Sequence, residues 1–276
     1  MILRKLYYSL PASWRFTARR LYYLPTDWWE LATGKRSPMQ PPKGLVYTGG
    51  GDFIKTGARL LERFVRLGQL QPHHQVLDIG SGIGRAAIPL TGYLDQRGGY
   101  EGFDVVELGV RWCTEQITRR YPNFRFTYVP LANDLYREDG SDAASFRFPY
   151  EDNRFDFAIA NSLFTHMLPE EVGNYLGEIR RVLKPGGKCF ATFFILNETS
   201  KKLMEKQPEF RFRYDYGHYF LFDEKVKSAN VGYEEGFLQK MTEDNGLHIA
   251  GTYYGFWPGR PQRECEDFQD FLILQK

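Results

Sequence analysis

Disulfide chemistry has little to draw on in this chain. Cys113, Cys189 and Cys265 are scattered through 276 residues, odd in number and without a Cys-x-x-Cys pair. That argues against a disulfide framework or a zinc site and predicts a reducing compartment. Histidine is also scarce, and the pair His73-His74 has no further ligands beside it in sequence, so no metal is expected. No apolar run approaches the length of a membrane span. Met1-Ile2-Leu3-Arg4-Lys5 leads into no clean apolar segment or small-residue cleavage site, so no signal peptide is read and a cytoplasmic protein is expected. The net charge of +2 gives no electrostatic footprint for nucleic acid. Aromatic residues, at 16%, are plentiful, which suits an aromatic-lined pocket or a phenylalanine-rich core equally. The length allows one large domain, or one domain with an extension.

The stretch that organises the chain is Val76-Leu77-Asp78-Ile79-Gly80-Ser81-Gly82-Ile83-Gly84-Arg85. Val76, Leu77 and Ile79 suit a strand covered on both faces. Gly80, Gly82 and Gly84 remove Cβ where the backbone turns sharply or approaches a bound group. A helix opening at about Gly84 would aim free N–H groups at that site, making an anionic part of a nucleotide-like ligand the expected guest. Gly82-Ile83-Gly84-Arg85-Ala86-Ala87 also fits the dinucleotide pattern G-x-G-x-x-A. Asp104, at the end of the next strand, could grip the ribose of a dinucleotide or of another adenosine ligand.

Residues 1–45 read as a separate extension. Through residue 36 they carry Arg4, Lys5, Arg15, Arg19, Arg20, Lys35 and Arg36 against Asp27 and Glu30, with tyrosine and tryptophan interleaved. One reading is a pair of short amphipathic helices on a membrane surface. The other, favoured because Pro11, Pro25, Pro38, Pro41 and Pro42 keep helices short, is a helical cap over the site with its charges in solvent. Residues 46–276 form the main domain. Gly49-Gly50-Gly51 lies in a loop that is either a lid or an ill-packed connection. The spacing predicts a helix over 58–70 and strands at 76–79, 100–106, 124–129, 155–161 and 188–196, followed by strands around 248–254 and 268–274. Helices alternate with them, one opening at Pro169-Glu170-Glu171 and stopped by Lys184-Pro185-Gly186-Gly187. This is an α/β, doubly wound, mostly parallel sheet.

The run Asp78-x-Gly80-x-Gly82-x-Gly84 resembles motif I of the class I S-adenosylmethionine-dependent methyltransferases. Phe148-Pro149-Tyr150-Glu151-Asp152-Asn153-Arg154-Phe155-Asp156 and Arg181-Val182-Leu183-Lys184-Pro185-Gly186-Gly187 are similar to that family's entries to its fourth and fifth strands. The resemblance implies seven strands with the last inserted antiparallel, and S-adenosyl-L-methionine across the C-terminal ends of the first, second and fourth. It implies further that Asp78, with Gly80, Ser81, Gly82 and Gly84, serves the methionine end, that Asp104 holds the ribose, and that Val105 lies against the adenine. Many relatives place an acid after the third strand for the adenine amino group. Here that position falls at Leu131 to Asn133, where backbone and an amide could substitute. Asn161 and Phe164, beyond the fourth strand, are further candidate cofactor contacts.

Methyl transfer from a sulfonium needs mainly an aligned nucleophile and a dry site, with a base added for a hydroxyl. His166 follows the fourth strand and is the candidate base, which favours oxygen as the acceptor atom. Residues 197–230, with Phe210, Phe212, Tyr214, Tyr216, His218, Tyr219 and Phe220, are expected to cover a small-molecule substrate. An amine acceptor, a nicotinamide-dependent oxidoreductase and a nucleotide-binding protein without chemistry are the alternatives. No convincing Tyr-x-x-x-Lys supports the oxidoreductase, and no Asn/Asp-Pro-Pro-Tyr motif supports a nucleic-acid substrate. The oligomeric state is not written in the sequence.

Overall fold

The structure, a computed structural model, describes residues 12–131, 142–207 and 210–276. Asn133 and residues 1–11 lie outside them. A helix α1 (Ala12–Ala32) leads through a 3-10 turn (Lys43–Leu45) to α2 (Phe53–Arg66). Then come β1 (Gln75–Ile79), α3 (Ala87–Leu90), β2 (Gly99–Asp104), α4 (Glu107–Cys113), β3 (Phe124–Tyr128), β4 (Phe155–Ala160), α5 (Pro169–Val182) and β5 (Leu183–Phe193). The remainder is β6 (Ile195–Leu196), α6 (Glu198–Met204), β7 (Tyr214–Asp215), β8 (Tyr219–Leu221), β9 (Val231–Glu234), α7 (Glu235–Asp244), β10 (His248–Tyr253) and β11 (Asp270–Gln275).

Seven strands form the main sheet in the order β10-β11-β5-β4-β1-β2-β3. Strands β1 to β5 pair in parallel, and β11 inserts antiparallel between β5 and β10. Burial explains the layering. Leu77 and Ile79 of β1 pack with Val172, Leu176 and Ile179 of α5 on one face, while Val76 packs with Leu60 and Phe64 of α2 on the other. Both faces are therefore covered, as a parallel sheet requires. With β2 on one side of β1 and β4 on the other, the strand order reverses at β1. Open sheets of this kind bind their ligands at such a reversal, beyond the strands' C-terminal ends.

Four boundaries depart from expectation. Helix α1 runs unbroken over Ala12–Ala32 with Pro25 inside it, although the prolines predict short helices. The position lies on the solvent side, where the carbonyl that proline leaves unbonded can turn to water. Helix α2 starts at Phe53 because Asp52 caps it, accepting from Lys55 N at 3.0 Å. The helix after the glycine turn is only Ala87–Leu90, delayed by the left-handed φ of +82° at Gly84. Strand β5 begins at Leu183, and Lys184–Gly187 is a jump in its register rather than a break, since pairing moves from Phe155–Leu183 to Phe157–Lys188.

The stretch 197–230 adds a second sheet, β6-β9-β8-β7, beside the first. Phe212 and Phe220 are buried with Phe194, Leu196 and Trp257, and Phe210 packs against them. These rings are the core of the second sheet, not the lining of an open acceptor pocket.

Candidate active site

The glycine run folds as a turn pinned onto the end of β2. Gly80 N and Ser81 N both donate to the Phe103 carbonyl, at 2.9 and 3.0 Å. Gly80 and Gly82 have φ of +77° and +56°, values that side chains resist. Gly84 does different work. A Cβ there would sit 3.0 Å from Cys113 Sγ and from Ile117, so its absence lets the turn seat against α4.

Two carboxylates frame this turn. Asp104 Oδ2 accepts from Gly82 N at 2.7 Å, and Oδ1 accepts from Val106 N at 2.8 Å. Burial pushes Asp104 up to about 6, against the pull of those two N–H groups. Asp78 lies inside β1 and accepts from the Tyr100 hydroxyl. Burial pushes it up to about 7; the Tyr100 bond pulls it back only in part, and the nearby Asp104 charge pushes further. Gly102 makes the pair possible, because a Cβ there would stand 3.0 Å from the Tyr100 ring and 2.9 Å from Ser81 Cβ. Beside the acids, the Ser81 hydroxyl is buried with no hydrogen-bond partner among the described residues. A buried hydroxyl left this way costs about 1–3 kcal/mol, which a ligand would recover.

The expected guest therefore changes in character. Helix α3 is too short to direct much positive field, and buried acids line the turn instead. A cationic or hydroxyl-bearing guest suits them better than an anion.

The chain before α2 closes over this turn. The Tyr47 hydroxyl reaches Asp104 Oδ1 at 3.5 Å, and Arg85 donates to the Thr48 carbonyl at 2.8 Å while lying over the Phe53 ring. The triple-glycine loop is thus tethered at its start by the last residue of the glycine run. Tyr47 was not legible in sequence: it sits in an irregular stretch 57 positions from its partner.

A family model described as a methyltransferase domain matches residues 77–191, from β1 through most of β5. Residues 77–191 therefore carry a methyltransferase domain. The chain is 27% identical over 198 residues to phosphoethanolamine N-methyltransferase 2 of Caenorhabditis elegans; the match takes in 71% of this chain and 40% of that protein. The chain thus spans well under half of that curated relative's length. Among solved structures it resembles a protein from Pyrococcus horikoshii (TM-score 0.56, 16% identity, 89% of this chain and 98% of that one). It also resembles 1,6-didemethyltoxoflavin-N1-methyltransferase of Burkholderia thailandensis, solved with 1,6-didemethyltoxoflavin and S-adenosylhomocysteine (TM-score 0.52, 16% identity, 97% and 91%). At such identity these two structures speak for the fold. The family match separates the chain from the nicotinamide-dependent alternative.

The family's donor, S-adenosylmethionine, carries an ammonium, a sulfonium and ribose hydroxyls. Buried carboxylates with no paired cation among the described residues and an orphaned serine hydroxyl fit such a group. Asp78, Ser81 and Asp104 are brought together at the turn, and Val105, half-buried at the end of β2, lies next to them in the chain. Asn161 is half-buried immediately after β4. Leu131 is 2% exposed and part of the core, so only its backbone remains for an adenine contact. Phe164 does not join the site. It is fully buried and stacks on Phe193 at 5.0 Å, so it offers a ligand no surface and serves as packing under the second sheet.

His166 sits in a 3-10 turn (Phe164–His166), where its Nδ1 lies 2.8 Å from the Ser228 carbonyl. A carbonyl only accepts, so Nδ1 carries the proton and Nε2 keeps its lone pair. Burial lowers its pKa from the ordinary histidine value, favouring the neutral ring. His218 is stacked on Phe237 at 4.8 Å. A surface cleft of about 520 Å³, lined in part by Gly68, His74, Asp156 and Lys188, lies at the N-terminal ends of β1 and β4, away from the turn. Among the described residues no three His, Cys, Asp or Glu side chains gather as a metal site.

Proposed function

We propose that the chain is an S-adenosylmethionine-dependent methyltransferase of a small-molecule acceptor. The observation that carries this reading is the pair of buried acids, Asp78 and Asp104, framing a glycine turn with no cation among the described residues paired to them. Asp104 would hold the ribose hydroxyls and Asp78 the ammonium, with Ser81 Oγ completing the polar set. The donor, when bound, supplies a methyl group already activated on positively charged sulfur. The protein's task is then to align the acceptor and keep water out. Calorimetry with S-adenosylhomocysteine tests the reading; no heat and no competition with S-adenosylmethionine would reject it.

For the acceptor atom, a hydroxyl oxygen is the first reading. It rests on His166, whose hydrogen bond to Ser228 leaves Nε2 as the proton-accepting nitrogen. A nitrogen acceptor is the second reading, favoured by the relative named as a phosphoethanolamine N-methyltransferase. An uncharged amine needs no base to attack, whereas a hydroxyl does. The two separate in a panel of labelled-methyl transfers with His166→Gln. Turnover on hydroxyl acceptors is expected to fall by about 10²–10⁴. Activity on amines with little loss from the substitution would shift the assignment to nitrogen.

A further inference from the structure

Helix α1 is amphipathic in the reverse sense. Along its length the half-buried positions are Phe16, Arg19, Tyr23, Thr26, Asp27 and Glu30, a three-and-four spacing that marks one face. That inward face is largely polar and already occupied. Asp27 accepts from Lys43 N and Gly44 N at 2.6 and 2.9 Å, Glu30 pairs with Lys43 at 2.6 Å, and Phe16 meets Tyr47 edge-on at 5.6 Å. The opposite face carries Trp14, Leu21, Tyr22, Trp28, Trp29 and Leu31, all from 51% to 77% exposed. Plotted at 100° per residue, positions 14, 17, 18, 21, 22, 24, 25, 28, 29, 31 and 32 fill one half of the wheel without a charged side chain. A solvated helix has this pattern the other way round.

We propose that this face docks the protein onto an anionic lipid surface, with α1 lying in the plane of the interface. Three observations support that occupant. Tryptophan, tyrosine and leucine on one face, with basic residues at its margin, is the composition of an interfacial helix. The basic residues are exposed Arg20 and Lys35, whereas both acids of the helix are held inward by the 43–44 segment. The charge left at the edge of the apolar face is therefore positive, complementary to anionic headgroups. Moreover, no helix among the described residues is long and apolar enough to cross a membrane, so α1 would rest on the bilayer. A second copy packed on the same face is the competing occupant, and the test separates it from the bilayer.

The placement has a consequence for the site. Helix α1 rests on the segment that carries Tyr47, whose hydroxyl reaches Asp104. A bilayer against α1 would lie on the side of the molecule where the donor acid sits.

The test uses the full chain with vesicles of phosphatidylcholine alone and of phosphatidylcholine with phosphatidylglycerol. Co-sedimentation with the anionic vesicles, a blue shift of tryptophan emission and weakening by salt are expected. The double variant Leu21→Glu, Trp28→Glu should lose at least tenfold in vesicle affinity while binding S-adenosylhomocysteine as the parent does. Absence of binding to either vesicle overturns the proposal. So does a concentration-dependent dimer in sedimentation that the double variant abolishes, since a second copy would then cover the face. Because donor binding is read separately, loss of the methyltransferase reading and loss of the docking reading are told apart.

Discussion

The two ends of the main sheet treat their acids in opposite ways. At the N-terminal end, Asp156 is held by Lys184 at 2.8 Å and by Gln75 N at 2.8 Å. Glu178 is held by Arg181, which also ties down Asp152 and the Phe148 and Tyr150 carbonyls. Despite burial, Asp156 and Glu178 lie below the ordinary carboxylate range, because bonds from backbone N–H and a cation of the chain outweigh desolvation. At the C-terminal end, Asp78 and Asp104 are pushed up to about 7 and about 6, with no cation among the described residues paired to them. An acid whose counter-charge is built in stabilises the fold, whereas one left without it is prepared for something that arrives. Asp270 shows why an elevated value alone is not the criterion. It too is pushed up to about 6 by burial, but its oxygens already accept from Ile195 N, Gly255 N and Trp257 Nε1, leaving it a staple between strands.

The comparison breaks first at Asp104. Asp104→Asn is expected to weaken S-adenosylhomocysteine by roughly 10²-fold, the worth of one or two hydrogen bonds to a charged group, measured by calorimetry. An unchanged affinity would remove Asp104 from the site. At the other end, Arg181→Ala should lower unfolding stability by about 1–3 kcal/mol in denaturant titrations and leave donor affinity intact. If it weakened the donor instead, the two ends would not be independent.

Asp78→Asn sharpens the contrast, since it should stabilise the ligand-free protein at pH 8 by about 1–3 kcal/mol while weakening the donor. The sign follows from linkage. A raised folded pKa means that the stability from protonated Asp78 is full below pH 3.8 and is lost as pH rises towards 7. Glu178 runs oppositely: its contribution is present above pH 4.5 and is lost as pH falls through its lowered folded value. Smallest is the pH dependence of binding. An ammonium beside Asp78 favours the carboxylate, so donor affinity should rise with pH through about 7, by up to tenfold per unit, and release a proton on binding. Buffers of different ionisation enthalpy measure that proton, and Asp78→Asn should abolish it.

Much of this was legible in the chain. Strands of two-sided apolar character and glycines at alternate positions follow from local rules, and they located β1, its turn and Asp104 within a residue or two. The failures share a cause. Phe164 sits among plausible cofactor contacts in sequence, yet the second sheet buries it against Phe193. The aromatic run at 210–220 reads as a pocket in sequence, yet folding puts Phe210, Phe212 and Phe220 into a core and leaves Tyr214 and Tyr216 exposed. In α1 the composition was visible but not its orientation, because that depends on where Lys43 and Tyr47 fall in space.

The sequence by itself determined the order of strands and helices, the bend after β1 and the two acids that flank it, since each is set by neighbours within a few residues. Tertiary structure alone decided which acids keep a counter-charge, which rings are sealed from ligand, and which side of α1 faces outward. Those are properties of contacts between residues far apart in the chain, and a local pattern carries no information about what will be packed against it.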